Sequence, residues 1–420
     1  MGEGSLQSAI VPQKNPVFPR FLFPLFVAFL FSLCACTGAG ISSIGREDLF
    51  SIEIGPMEDQ IAMYLPEDYN GIMRTGFAMR DGLFYIADGN NGKIVRYNSY
   101  GDILFMIYNE ETNPPPVSLR TNIGENEQVT RWAFSYPLRE PSRIVVDSRK
   151  HMYVEDRLPR QNHRFDAESN ALLDGIILHF DQNGRFIQYL GQDGIGGSPF
   201  PRIVGLYTSV RDELAVICRI PDGWNIYWYS ASGMLLFMVK INTSEIPSRP
   251  DLPSTLASVD CIAAAPDSRM LFLKVDYYRD TFDQSTNTRT GSEPASSVIW
   301  TLNVEDGSYS SLFEVPLFEL SDFELSENNR QPPIRMFYSM LGVIQDGIVF
   351  LYYPIDTGYS ILVLDTYSRD QRRGYIHFFN EELRFNEFNL SADGILSAML
   401  VDDQVKVVWW RTDILIGEAK

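Results

Sequence analysis

Four arginines stand at comparable places along this chain. Arg74, Arg143, Arg202 and Arg335 each come at or shortly before a short apolar run that reads as the start of a repeat. A guanidinium is a planar fork of donors that matches a carboxylate or phosphate, so four of them on one rim would form an anion-binding mouth. The alternative is that each arginine satisfies acidic neighbours or loop carbonyls. Other chemistry is sparse: there is no His-Glu-x-x-His, Cys-x-x-Cys, Gly-x-Ser-x-Gly or phosphate-binding Gly-Lys-Ser/Thr pattern. The glycine-rich stretch 191–197 leads to proline rather than a helix, and Asp88-Gly89-Asn90-Asn91-Gly92 lacks the later ligands of a calcium loop. His151, His163, His179 and His377 share no local spacing. Asp260 is the plainest carboxylate on an innermost-strand run, and one carboxylate is not a metal site. No catalytic residue, metal or cofactor is therefore assigned.

The formal charge is −19 over 420 residues, which argues against nucleic acid as a partner, because phosphates must first meet positive charge. It also disfavours adsorption to anionic lipid, so attachment to a membrane would need a covalent anchor. Apolar residues at 45% and aromatics at 13% are ample for a packed core rich in strands.

Residues 21–35 form an apolar run too short to span a bilayer, which takes about 20 residues, and Lys14 and Arg20 precede it. That is the form of a secretory signal. Its end, Leu33-Cys34-Ala35-Cys36, resembles the lipobox of bacterial lipoproteins. The resemblance implies cleavage before Cys36, lipidation of Cys36 and an extracytoplasmic, membrane-anchored product. Thr37, where Asp would imply retention at the inner membrane, leans toward the outer membrane. Cys34 itself and the long, weakly basic leader depart from the pattern. Cys218 and Cys261 fall in different repeats and read as buried thiols, a disulfide being the alternative.

The body repeats one grammar of strand, tight turn, strand, loop, strand, tight turn, strand at roughly 40 to 60 residues per copy, the signature of propeller blades. Its clearest copy is residues 76–107, with Asp81-Gly82 and Tyr100-Gly101-Asp102 as turns. Further copies run through 144–189, 214–238, 270–302 and 348–364; the last, ending at Val405-Lys406-Val407-Val408-Trp409-Trp410, lacks an outer strand. An orphan strand at 49–55 would supply it and close the ring. Residues 76–107 resemble the NHL-repeat family, with an Asp-Gly turn, a second strand ending in Ala87-Asp88 and a third ending in Tyr97-Asn98. The resemblance implies a six-bladed, all-β propeller of four-stranded antiparallel blades and a habit of binding partners. The expected organisation is a signal peptide over 1–35, a tether over 36–48 and one propeller over 49–420.

In such a blade the first-to-second and third-to-fourth turns share one face. Every turn of that kind is short here. The long segments 109–140, 155–175, 241–256, 276–296 and 317–335 fall at positions of the other kind, where a rigid scaffold carries binding loops. Trp132, Tyr136, Tyr277, Tyr278 and Arg279 lie in them and are residue types that anchor interfaces. These observations lead to an envelope interaction module that takes a protein or glycan. The alternative is a channel-centred, metal-dependent hydrolase or lyase of the lactonase-like type.

Overall fold

The computed structural model describes residue 1 and residues 42–63, 74–121, 131–249, 251–252, 254–283, 285–319, 334–379 and 383–416. Cys36 and the signal segment lie outside the described residues. No described helix is long and apolar enough to cross a membrane.

Six sheets, each built on a core of four antiparallel strands, form the six blades of a β-propeller. Their innermost strands are Thr75–Arg80, Ile144–Val146, Ile203–Thr208, Thr255–Ala264, Ser339–Val343 and Phe385–Leu390. Alternating apolar residues on each blade's two faces meet those of its neighbours. The result is six buried apolar clusters, one at each junction between adjacent blades, including that between blades 6 and 1. The third-to-fourth turns of blades 1 to 4 place Gly101, Gly184, Gly233 and Gly307 at φ of 83°, 82°, 86° and 71°. Only glycine takes that conformation without strain, which is why these turns are visible as sequence punctuation.

The ring closes through the N-terminal strand, as expected. It spans Arg46–Ile54 and pairs antiparallel with Val405–Trp410, from Arg46 opposite Trp410 to Ile52 opposite Val405. It begins earlier than residue 49 because Glu47 still has a partner, the Trp409 Nε1 that donates to its carboxylate at 2.7 Å. A strand not foreseen, Ser42–Ile44, adds in parallel to the outer strand of blade 5, Gln371–His377. The chain entering the domain thus covers the edges of two blades.

The antiparallel registers put every first-to-second and third-to-fourth turn on one face, and all five long segments leave from the other. Several of these are not loops. Segment 109–140 includes Trp132–Ser135, which runs parallel to Ile103–Tyr108 as a fifth strand of blade 1. Segment 155–175 contains a two-stranded sheet of Arg164–Asp166 with Ala171–Leu173. Segment 276–296 is the projecting part of a long hairpin, Met270–Phe282 with Arg289–Asn303, paired along nearly its whole length.

Candidate functional site

On the loop-bearing face the propeller opens into a basin of about 560 Å³. Arg74, Arg143, Arg157, Arg202 and Arg219 line it, against the carboxylates of Glu155, Asp174 and Glu387. Gly76, Arg143 and Glu387 also line the channel cavity of about 290 Å³ to which all six innermost strands contribute. The basin therefore leads into the channel.

A structural repeat generates this arginine cluster. Arg74, Arg143 and Arg202 each stand immediately before an innermost strand. Each carbonyl accepts a hydrogen bond from the second strand or its end: from the amides of Gly89 at 2.8 Å, Glu155 at 2.8 Å and Arg219 at 2.7 Å. Arg384, which sequence reading missed, also stands before Phe385–Leu390, but its amide donates to the Val401 carbonyl at 2.8 Å and it does not line the basin. Arg335 has no such place. It lies in a two-stranded sheet, Arg335–Met336 with Phe318–Glu319, where its Nε is 3.3 Å from Glu319, and it does not line the basin.

The repeated arginines differ in compensation. Arg74 lies 3.2 Å from Glu140, Arg143 lies 2.9 Å from Glu155 and Arg384 lies 3.2 Å from Asp403. Arg157 pairs with Asp174 at 3.3 Å. Among the described residues the Arg202 guanidinium has no hydrogen-bond or ion-pair partner. Among the described residues no carboxylate pairs with Arg219. Its Nη1 donates to the Gly223 carbonyl at 3.1 Å, and its guanidinium lies 3.9 Å from the ring centre of Trp224. Both line the basin and a second cavity of about 370 Å³ beside it, to which Trp224 and Asp260 contribute.

Glu387 sits where basin and channel meet. Burial pushes its carboxyl up to about 7, against the opposing pull of Arg143, so both charge forms are populated near neutrality. Asp260 is committed elsewhere. Its carboxylate accepts the Met340 amide at 3.1 Å and lies 3.5 Å from the fully buried Lys274 ammonium, which Asp276 also holds at 2.7 Å.

The aromatic candidates are largely turned inward. The Trp132 ring stacks on Phe105 at 6.0 Å and its Nε1 donates to the Asn183 carbonyl at 2.7 Å. Tyr136 packs against Phe180 and Phe186 at 5.4 and 4.8 Å. Tyr277 is buried, donating to the Pro247 carbonyl at 2.5 Å and accepting from Trp300 at 3.1 Å. Tyr278 packs edge-on against Phe337 at 5.1 Å; Arg279 alone of the five is exposed. An inserted segment must itself bury apolar area to be ordered, and an aromatic ring with a polar tip does this well. These side chains secure the insertions to the blades.

The remaining candidates are structural. Asp88 is fully buried, accepts the amides of Ala62 at 2.9 Å and Asn91 at 3.2 Å, and its carboxyl is pushed up to about 6 by burial. It pins the incoming chain to blade 1. His151 Nδ1, in the turn before Met152–Arg157, and His179 Nε2, in the strand Gly175–Phe180, meet at 3.0 Å, a pairing that no local spacing announced. Cys218 and Cys261 are free thiols.

No protein-family model and no curated protein matches the sequence. In fold the chain is similar to a gluconolactonase from Xanthomonas campestris at 10% identity, covering 90% of this chain and 100% of that one with a TM-score of 0.38. It is similar also to the calcium-binding protein regucalcin from Agrobacterium tumefaciens at 9% identity, covering 88% and 96% with a TM-score of 0.37. The WD40 domain of Toxoplasma gondii coronin is similar at 7% identity, covering 89% and 87% with a TM-score of 0.37. At such identities and TM-scores these likenesses say nothing about activity. The class that the six sheets define is the six-bladed β-propeller.

Proposed function

We propose that this chain is a lipid-anchored, extracytoplasmic propeller of the NHL-repeat kind that binds a protein or glycan of the bacterial envelope through its loop-bearing face. One observation carries the reading: all five long segments leave the blades on the face where the arginine-lined basin opens, while the strand-to-strand turns of the opposite face are all short. Rigid scaffolds place recognition on such segments. The anchor rests on the Leu33-Cys34-Ala35-Cys36 pattern, with the outer membrane favoured by Thr37. Replacing Cys36 with Ser should abolish labelling by a fatty-acid probe and move the protein from the membrane fraction to the aqueous one. Equal labelling of both proteins would refute lipidation at Cys36.

A metal-dependent hydrolase would need several carboxylates aimed into the channel. The innermost strands supply Glu387 and Asp260, and no three His, Cys, Asp or Glu among the described residues are grouped to hold an ion. That donor set favours the binding reading. A melting temperature raised by added calcium would favour the hydrolase instead.

A further inference from the structure

Blades 2 and 3 present the same backbone position in two chemical versions. In blade 2 the residue that donates its amide to the rim arginine is Glu155, whose carboxylate neutralises Arg143 at 2.9 Å. In blade 3 the residue in that place is Arg219, which donates its amide to Arg202 at 2.7 Å. The substitution replaces an internal ion pair by two arginines on adjacent, hydrogen-bonded strands that line the same two cavities. Like charges so placed repel, and on a protein with a formal charge of −19 carboxylates are abundant. Yet none pairs with either group among the described residues. Arg219 is moreover held ready by the Gly223 carbonyl and the face of Trp224, an arrangement that fixes the fork without neutralising it.

We propose that Arg202 and Arg219 form a binding site for the oxyanion group, carboxylate or phosphate, of a small organic ligand whose remainder occupies the basin. The basin's volume of about 560 Å³ falls within the range of about 300–1,000 Å³ usual for small-molecule sites. Nearby carboxylates do not fill the role: Glu155 and Asp174 are engaged by Arg143 and Arg157, and Asp260 by Lys274. The proposal deepens the reading given above and rests on the loop-bearing face being the working face.

Calorimetric titration of the full-length protein with glucuronate, inorganic phosphate and glucose tests it. Glucuronate or phosphate should bind while glucose, which lacks the oxyanion, should not. Binding of glucuronate alone assigns a carboxylate ligand, and binding of phosphate alone a phosphate ester. Arg219→Glu copies the blade 2 arrangement and should fold normally while weakening the anion by about tenfold to a hundredfold, the scale of a charged, forked hydrogen bond. Arg202→Gln should weaken it similarly, and it decides the matter if the first variant fails to fold. Arg211→Gln, in an exposed turn on the trimmed face, should change nothing. Glucose binding as tightly as glucuronate, undiminished binding by the Arg202 and Arg219 variants, or no anion binding at millimolar concentration would each overturn the site. Anion binding with no envelope partner on this face would refute only the wider reading.

Discussion

The seam of the ring and its mouth are built by opposite means. At the seam, Arg46–Ile54 joins blade 6 through backbone hydrogen bonds and alternating side chains, and Phe50 wedges into blade 1 with ring centres 5.6 Å from Phe84 and 5.5 Å from Tyr97. At the mouth, residues of several blades line one cavity, and its arginines pair with carboxylates of their own blade or of its link. Burial of apolar area and pairing of strand edges dominate stability, whereas exposed ion pairs contribute about 0–1 kcal/mol each. The seam can therefore change little without loss of the fold. The mouth is free to change its chemistry, as the exchange of Glu155 for Arg219 between adjacent blades illustrates.

The largest expected effect comes from breaking the seam. Deleting the chain through Gly55 removes the strands that finish blades 5 and 6 and leaves two sheet edges open. Several kcal/mol would be lost, lowering the melting temperature on the order of 10 °C or more. Thermal unfolding followed by circular dichroism reads this directly. An unchanged melting temperature would show that the seam is dispensable and would remove the contrast with the mouth.

That same contrast separates what could be read in the sequence from what could not. The seam was legible because a strand announces itself locally: residues 49–55 alternate, and the last copy of the repeat visibly lacks a partner. Ser42–Ile44 is too short to announce anything, and the extended hairpin after Met270 has a polar tip that reads as a loop. The basin was legible only in part. Arg74, Arg143 and Arg202 share a position that strand starts mark, whereas Arg335 also precedes an apolar run but is separated from the true strand start by several residues. Arg219 meets Arg202, and Arg157 joins Arg143, through strand register within blades 3 and 2, and Glu387 of blade 6 reaches them only when the ring closes; no local period encodes either. The aromatics at 132, 136 and 277 have interface-like chemistry for a different reason: the inserted segments need internal anchors.

A smaller effect lies at the junction of mouth and channel. The Glu387 carboxyl, raised to about 7 from an ordinary value of 4.5, holds its proton more tightly folded than unfolded. Its contribution to stability is therefore fully present below about pH 4.5 and is lost as pH rises through about 7. Glu387→Gln removes that dependence. The variant should match the parent near pH 4.5 and exceed it at pH 8 by about 1–2 kcal/mol, a few degrees in melting temperature. Equal melting of the two proteins at pH 8 would mean that the carboxyl is solvated and places no electrostatic strain on the mouth.

The smallest expected effect on the fold, and the sharpest on the comparison, comes from trimming the hairpin on the loop-bearing face. Its base must be kept, because buried Asp276 accepts from Lys274 at 2.7 Å and from Ser297 at 2.6 Å, and Tyr277 is buried beside it. Beyond Asp280 opposite Ser292 the two strands pair chiefly with each other. Replacing residues 281–291 with Asn-Gly gives the two-residue turn that antiparallel strands prefer, and a shorter connection carries no added closure entropy. The melting temperature should stay within about 2 °C of the parent, since little apolar area is removed. Affinity for glucuronate or phosphate should also be unchanged, because the hairpin does not line the basin. Retention of the protein on isolated envelope material should fall if the projecting strands hold a partner. A loss of 10 °C would make the hairpin part of the frame, like the seam. Unchanged melting with undiminished retention would exclude the hairpin from the working surface, leaving the basin to account for binding on this face.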